Sequence, residues 1–190
     1  MGKSEYQKLK DLKKSAKKDL FERCYKEAAK KTPLLVIMGP NKEFEDEMNY
    51  EKFMQLLEGL LVLNIKVIVI TDDEPGDTVK HPAGKIYWVN TKEGRNQKEI
   101  SNYLNAADMV LAFDDEEEAI EDIMLRGCVI IGNEKLPLVE NYKPNEETGN
   151  AFTFKSQNPW DIFRAIVRAT ETYMFPFDWQ HIMRGLIKND

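Results

Sequence analysis

Residues 111–132, LAFDDEEEAIEDIMLRGCVIIG, concentrate the side chains of this chain that are best suited to chemistry. Their pattern reads strand, turn, helix and strand, the arrangement in which an α/β protein holds a phosphate over a helix N-terminus. Between Asp114 and Asp122, however, the segment carries seven carboxylates, no cation and no glycine. The spacing is unlike that of an EF-hand, so a solvated acidic turn is the favoured interpretation over a cation site. Four of the carboxylates could supply oxygen ligands to Mg²⁺ or Ca²⁺: Asp114, Asp115, Glu116 and Glu118.

The histidines and cysteines give no sign of a metal site or a disulfide framework. The chain has two histidines, His81 and His181, and two cysteines, Cys24 and Cys128, all far apart in sequence. Zinc sites need ligands at short, regular spacings, which these residues lack. His81 precedes Pro82 and is expected at the surface rather than as a general base. We therefore expect no metal, no cofactor and no catalytic residue among them.

Aromatic residues near the C-terminus form a candidate apolar surface. Trp88 lies inside a predicted strand and Trp160 opens a predicted helix, so both are expected to pack in the core. Trp179 lies beside YMFPFD and is the tryptophan whose exposure matters most. With Phe175 and Phe177 it is predicted to form an apolar patch that a partner domain could cover.

Short apolar runs alternate with helical patterns along the whole chain. Strands are predicted at 34–38, 66–71, 85–89, 109–113, 128–132 and 151–154. Helices are predicted between the first two strands and over 97–106, 116–126, 158–173 and 178–188. Continuous β-branched strands that alternate with helices are typical of a parallel sheet covered on both faces. The sequence therefore predicts an α/β fold, a single doubly wound, Rossmann-like domain over residues 1–190 with about six strands.

A doubly wound sheet binds its ligands beyond the carboxyl ends of its strands, where the strand order reverses. We expect that reversal between the first and fourth strands, which makes the loops at 39–50 and 114–118 the important ones. Neither loop contains G-x-G-x-x-G or G-x-x-x-x-G-K-[ST], so dinucleotide and P-loop nucleotide binding have no positive support.

The charge of the chain is divided unevenly along its length. Its 190 residues carry 27 Lys and Arg against 33 Asp and Glu, a net charge of −6. Residues 1–31 hold eleven basic and five acidic residues, so the remainder carries a net charge of −12. An acidic body opposes a nucleic-acid backbone. The basic segment is predicted to be a helix that packs on the domain through an apolar stripe: Leu9, Leu12, Ala16, Leu20 and Cys24.

No apolar run approaches the ~20 residues that span a bilayer. The start of the chain, MGKSEYQKLKDLKKSAKK, lacks the apolar core of a signal peptide. We therefore expect a cytoplasmic protein with no nucleic-acid partner and no membrane partner.

Five segments occur in an order that matches a known family. They are KSAKKDLFERC, PLLVIMG, QLLEGLLVLNIKVIVITDDEP, YLNAADMVLAF and ENYKPNEETGNAFTFKSQNPWDIFRAIVRATETY. In this order they resemble the C-terminal, nucleotide-sugar-binding domain of the bacterial-type glycogen and starch synthases, over nearly all of the chain. Those proteins are GT-B glycosyltransferases that move glucose from a nucleotide sugar onto an α-glucan. The resemblance implies a GT-B C-terminal-type fold.

The ligand-binding segments of that family are all altered in this chain. After the first strand, GPNKEFEDEMNYEKF replaces the family's R-L-T-x-Q-K-G, and after the fifth, NEKLP replaces T-G-G-L. After the fourth strand, the Glu and Gly of E-P-C-G-L-T-Q fall on Asp114 and Glu117, and a second acidic position of related enzymes falls on Asp122. The resemblance thus implies these vestigial donor-site positions: Gly39, Asn41, Lys42, Asp114, Glu116, Glu117, Asp122 and Lys135.

These alterations predict a non-catalytic GT-B domain, a pseudoenzyme that acts as an interaction or regulatory module. The enzyme alternative is a donor domain for ADP- or UDP-glucose that is active only with a missing N-terminal domain, because GT-B enzymes react in a cleft between two domains. There Asp114 and Asp122 would take the acidic roles, and Lys42 or Lys135 would meet the phosphate. A third hypothesis is an α-glucan-binding module that uses exposed aromatics. The expected partners are a protein or the missing domain and, weakly, a nucleotide sugar or α-glucan.

Overall fold

The computed structural model describes residues 4–28, 31–38, 49–71, 84–90, 97–113 and 116–187. The strands are β1 (Leu34–Met38), β2 (Lys66–Thr71), β3 (Ile86–Asn90), β4 (Met109–Leu111), β5 (Val129–Asn133) and β6 (Ala151–Phe154). The helices are α1 (Glu5–Leu20), which continues into a π-helical turn at Phe21–Tyr25, α2 (Tyr50–Leu60), α3 (Gln97–Ala106), α4 (Glu117–Leu125), α5 (Pro159–Tyr173) and α6 (Pro176–Ile187).

The six strands form one parallel sheet in the order β3-β2-β1-β4-β5-β6. Val36 in β1 stands opposite Ile68 of β2 on one side and Val110 of β4 on the other. The strand order therefore reverses between β1 and β4, as predicted from the sequence. Three strands have the predicted bounds, two begin and end one residue later, and β4 ends two residues earlier.

Helices cover both faces of this sheet, which confirms the predicted α/β, Rossmann-like fold. On one face α2 packs against α5, and on the other α1 contacts α3 and α6, while α6 also contacts α4. Residues 34–37 of β1 are fully buried, as expected for a strand at the centre of a sheet that is covered on both sides. No helix within the described residues is long and apolar enough to cross a membrane.

Helix α1 packs on the domain through a face that differs from the predicted stripe. Leu12 is 68% exposed, whereas Lys13 and Lys17 are buried, at 8% exposure each. The prediction for Leu12 was therefore wrong. An apolar stripe can include lysine because the four-carbon stem packs on apolar surface while the ammonium reaches a polar group beyond it. Lys13 Nζ donates to the carbonyl oxygen of Arg126 at 3.0 Å and contacts Cys128 Sγ at 3.5 Å.

A buried ion pair ties α1 to the amino-terminal edge of the sheet. Lys17 Nζ lies 2.5 Å from the Asp108 carboxylate, and the two side chains are only 10% and 13% exposed. The same carboxylate accepts a hydrogen bond from the amide of Leu34, the first residue of β1, at 2.8 Å. Because Asp108 directly precedes β4, one carboxylate links α1 to the start of both central strands.

Two of the three tryptophans differ from the sequence expectations. Trp160 is 78% exposed, so the prediction that it packs in the core was wrong. It lies in the first turn of α5, where its backbone amide donates to the cap residue Asn158, and the centre of its ring lies 6.3 Å from that of Phe163. Trp179 is buried rather than part of an exposed patch, because it packs against Tyr173 with ring centroids 5.1 Å apart.

The connection from β5 to β6 is an irregular segment held down by α5. Arg168 of α5 donates to Asn141 Oδ1 at 3.1 Å and to the carbonyl oxygen of Tyr142 at 3.0 Å, and its guanidinium lies over the ring of Phe152. Gly149 returns the chain towards β6 with a φ of +92°. Gly149 and Phe152 lie in TGNAF, within the segment ENYKPNEETGNAFTFKSQNPWDIFRAIVRATETY that contributes to the family resemblance, so this part of the segment serves to close the crossover.

Buried tyrosines make the stability of the fold sensitive to high pH. The Tyr142 hydroxyl is buried and donates to the Asp178 carboxylate at 3.2 Å. Burial and the nearby negative charge of Asp178 together raise the pKa of Tyr142 to about 12. Burial also raises the pKa of three other tyrosine hydroxyls, those of Tyr25, Tyr103 and Tyr173.

The free energy of unfolding is expected to fall as the pH rises from about 10 towards 12. An unfolded tyrosine loses its proton near pH ~10, whereas the raised pKa keeps Tyr142 and Tyr173 protonated in the folded state. Their stabilising contribution is therefore complete below pH ~10. Above that pH, the free energy of unfolding falls by up to about 1.4 kcal/mol per pH unit for each tyrosine. Urea unfolding between about pH 8 and 11 measures this slope, and Tyr142→Phe should reduce it. A slope that Tyr142→Phe leaves unchanged would contradict the prediction.

Candidate functional site

The candidate site lies beyond the carboxyl ends of β1, β4 and β5, where the strand order reverses. Several positions singled out from the sequence lie outside the described residues: Gly39, Asn41, Lys42, His81, Asp114 and Asp115. The other predicted donor-site positions lie on α4 and on the turn after β5: Glu116, Glu117, Asp122 and Lys135.

The N-terminus of α4 presents carboxylates to solvent at this edge of the sheet. Glu116 is the cap residue, and its carbonyl oxygen accepts from the amide of Ile120 at 3.0 Å. Glu117 and Glu118 follow in the first turn, and all three glutamates are exposed. Carboxylates at this position complement the positive end of the helix dipole by ~0.3–1 kcal/mol each. They therefore stabilise the helix in the position where the family resemblance implies a phosphate.

Asp122 is separated from this acidic helix start. It lies five residues beyond Glu117, which is a rise of about 7.5 Å along the helix and a different side of it. Its carboxylate accepts from Arg126 Nε at 2.8 Å. Arg126 also donates to Ser101 Oγ and Asn105 Oδ1, both at 2.7 Å, so this pair joins α4 to α3. The structure thus places Asp122 in a contact between helices rather than beside Glu116 and Glu117.

The turn after β5 places Lys135 at the surface and a leucine over the end of the strand. Asn133 shapes the turn, because its side chain accepts from the amide of Lys135 and its carbonyl oxygen from the amide of Leu136, both at 3.0 Å. Lys135 is exposed, whereas Leu136 is buried. A Cβ atom added to Gly132 would collide with Leu136 Cδ1, so this side chain fills the space above Gly132.

Leu136 is a site residue that the sequence analysis missed. The available signal was a glycine at the end of a buried strand followed four residues later by leucine, in IIGNEKLP. The short turn brings the leucine back over the glycine, which lacks a side chain to exclude it. The carboxyl end of β5 is therefore covered by an apolar side chain where the family resemblance implies an anion-binding turn.

The described residues hold no group of three or more His, Cys, Asp or Glu side chains that could bind a metal ion. Cys128 is buried, and burial raises the pKa of its thiol. It directly precedes β5 at the amino-terminal edge of the sheet, opposite the edge that carries Glu116 and Lys135. Within the described part of the chain, the candidate site therefore consists of an exposed acidic helix start, an exposed lysine and an apolar cover.

Part of the chain is similar in sequence to a glycogen synthase. No protein-family model matches the chain. Its sequence is similar to glycogen synthase 1 of Synechocystis sp. (strain ATCC 27184 / PCC 6803 / Kazusa), with 34% identity over 70 residues, which cover 35% of this chain and 15% of that protein.

Three solved structures share the fold at low sequence identity. WaaG, a glycosyltransferase involved in lipopolysaccharide biosynthesis, has a TM-score of 0.59 and 11% identity over 92% of this chain and 47% of WaaG. The spinosyn forosaminyltransferase SpnP has a TM-score of 0.51 and 14% identity over 86% of this chain and 41% of SpnP. TarM has a TM-score of 0.52 and 11% identity over 86% of this chain and 33% of TarM. The chain has the fold of a GT-B glycosyltransferase C-terminal-type domain and spans less than half the length of each of these proteins.

Proposed function

We propose that this domain of GT-B fold has lost nucleotide-sugar binding and acts as a non-catalytic interaction or regulatory module. The observation that carries the proposal is the exposed run Glu116, Glu117 and Glu118 at the N-terminus of α4. That helix begins just beyond β4, at the point where the strand order reverses and a ligand of this fold would lie.

Electrostatics oppose a diphosphate at this helix start. A nucleotide diphosphate brings about two negative charges, and a carboxylate within ~4–6 Å opposes them by on the order of 1–4 kcal/mol at the dielectric constant of a protein surface. Replacing the family's glycine by Glu117 also removes close approach to the backbone amides. The binding free energy of a micromolar ligand is only about 8 kcal/mol, so two or three such penalties would abolish useful affinity.

The turn after β5 supports the same proposal. Leu136 fills the space above Gly132 and is buried, so a ligand that approaches Gly132 from this side must displace it. Removing an apolar side chain from a packed position costs free energy without supplying a hydrogen bond to the ligand. Lys135 in this turn is exposed, and its backbone amide already donates to Asn133 Oδ1.

The second candidate function is a donor domain that uses ADP- or UDP-glucose together with an N-terminal domain. The 34% identity to a glycogen synthase over 70 residues favours this alternative. The matched segment covers only 15% of that protein, so the acceptor site and the remaining catalytic groups would come from elsewhere. In this case Lys42 or Lys135 would meet the phosphate, and Asp114 and Asp122 would act as the acidic residues.

Calorimetric titration with ADP-glucose and UDP-glucose, with and without Mg²⁺, tests the proposal. We expect no heat of binding up to millimolar ligand, because the acidic helix start and Leu136 oppose the phosphates. A Kd below about 100 μM, a binding free energy stronger than about 5.5 kcal/mol, would contradict it.

Three further variants make the titration decisive. If the wild-type chain binds, Lys135→Ala should weaken binding in the donor-domain alternative, whereas Lys155→Ala removes an equal charge from a neighbouring exposed position. If the wild-type chain does not bind, Glu117→Gly tests whether restoring the family's glycine restores affinity. Restored binding would identify the carboxylate substitution as the cause of the loss.

A further inference from the structure

The turn between α5 and α6, together with the first turn of α6, exposes three large apolar side chains. Met174, Phe175 and Phe177 are 59%, 61% and 71% exposed. They follow Tyr173, whose hydroxyl accepts from Lys17 Nζ at 3.3 Å, and Lys17 is paired with Asp108 just before β4. The apolar turn therefore lies at the amino-terminal edge of the sheet, opposite the candidate donor site.

Helix α1 runs alongside α6 and brings cations to this turn. The Arg184 guanidinium of α6 lies 5.2 Å from the centre of the Tyr6 ring, near the start of α1. Towards the other end of α1, Lys17 Nζ lies 5.3 Å from the centre of the Tyr173 ring, just before α6. The two helices are thus antiparallel neighbours.

Three exposed lysines of α1 follow Tyr6, whose ring contacts Arg184 of α6. Lys10, Lys14 and Lys18 continue from Tyr6 at intervals of four residues, so they form one row along the helix. Phe177 and Arg184 are exposed on α6, about two turns apart. We call these residues together the basic–aromatic face: Lys10, Lys14, Lys18, Phe175, Phe177 and Arg184.

Two acidic groups near this face, Asp178 and Asp11, have partners within the fold, whereas Asp19, Glu22 and Glu171 are exposed close to it. Asp178 is half-buried and accepts from the Tyr142 hydroxyl at 3.2 Å. Asp11 accepts from Gln7 Nε2 at 3.0 Å within α1. The exposed glutamates of α4 lie beyond the opposite edge of the sheet, at least the length of a five-residue strand, or about 16 Å, away. That separation exceeds the Debye length of about 8 Å at physiological ionic strength.

We propose that the basic–aromatic face binds the surface of an anionic lipid bilayer. Lysine and arginine attract anionic headgroups, and exposed phenylalanine rings partition into the boundary between headgroups and acyl chains. The apolar side chains project from the junction of two helices. A lipid bilayer can accommodate such protruding rings because its headgroups and acyl chains rearrange around them. The sequence predicts no membrane partner because it has no spanning segment, whereas binding at the bilayer surface requires none. This proposal is independent of nucleotide-sugar binding.

Vesicle co-sedimentation of the full chain tests the proposal. We expect binding to vesicles of equal parts phosphatidylserine and phosphatidylcholine, weakening as salt increases, and binding to phosphatidylcholine alone that is weaker by about tenfold or more. Lys10→Gln with Lys14→Gln, and separately Phe175→Ser with Phe177→Ser, should each weaken binding about tenfold or more. The matched control is Lys98→Gln with Lys155→Gln, which removes the same charge at exposed positions on the opposite edge of the sheet and should leave binding unchanged.

Three outcomes would overturn the proposal. They are absence of binding to either vesicle, equal binding to both, and equal weakening by the control pair. Circular dichroism of each variant confirms that the substitutions at these exposed positions leave the fold intact. If the phenylalanine pair instead abolishes self-association of the chain without any vesicle binding, the face is an interface between copies and the lipid proposal is wrong.

Discussion

Replacing Lys17 by methionine is expected to lower the free energy of unfolding by about 3–5 kcal/mol. Lys17 Nζ lies 2.5 Å from the Asp108 carboxylate, and both side chains are largely buried. Methionine keeps most of the apolar stem but leaves Asp108 without this positive partner, although the amide of Leu34 still donates to it. A buried charge without its counter-charge is costly, so the loss should greatly exceed that of an exposed ion pair.

Urea unfolding of Lys17→Met and Lys18→Met separates this contact from the loss of one charge. Lys18 is the next residue of α1 and is exposed, so its replacement should change stability by less than about 0.5 kcal/mol. Adding Asp108→Asn to Lys17→Met should recover part of the loss because it removes the unpaired charge. Equal effects of the two single substitutions would show that the buried ion pair contributes little.

Replacing Gly149 by alanine is expected to destabilise the fold by about 2–4 kcal/mol. Gly149 has a φ of +92°, a conformation that residues with a side chain rarely adopt. A Cβ atom there would lie 2.5 Å from the carbonyl oxygen of Asn141 and 2.7 Å from Tyr142 Cα. Both contacts are with backbone atoms, which cannot move aside without disturbing the segment that Arg168 holds against α5.

Gly185→Ala provides the matched control, with an effect of the opposite sign. Gly185 lies inside α6, and a Cβ atom there would meet no other atom within 4 Å. Alanine at this exposed helical position should stabilise the protein by about 0.5–1 kcal/mol. Thermal or urea unfolding measures the stability of both variants. If Gly149→Ala and Gly185→Ala changed the stability in the same direction, this explanation would be contradicted.

The sheet could be predicted because its signal is local. β1, β2, β5 and β6 are short runs rich in apolar residues, and burial on both faces requires just that pattern. The reversal between β1 and β4 is that of the strand order 3-2-1-4-5-6, which is common among six-stranded doubly wound sheets. Single side chains were harder to predict because their burial depends on contacts distant in sequence.

Three side chains show this limit. Lys17 is buried because its ammonium pairs with Asp108, which lies 91 residues later in the sequence. Hydrophobicity alone predicts that such a lysine is exposed to solvent. Trp160 is exposed because it lies at the outer side of the first turn of α5, a matter of helix orientation rather than of residue type. Leu136 covers Gly132 because a tight turn reverses the chain, and that depends on backbone geometry at Asn133.

The contacts of α1 have a consequence for the order of events during synthesis. The helix is synthesised before every strand of the sheet, yet its lysines contact Asp108 and Arg126, and its Tyr6 contacts Arg184. Contacts over such long sequence separations form late, because the intervening chain must first exist and then be ordered. A nascent chain must therefore carry α1 as an amphipathic segment that cannot complete its contacts until α6 has been made. Before those contacts form, Lys13 and Lys17 keep the segment charged and hydrated.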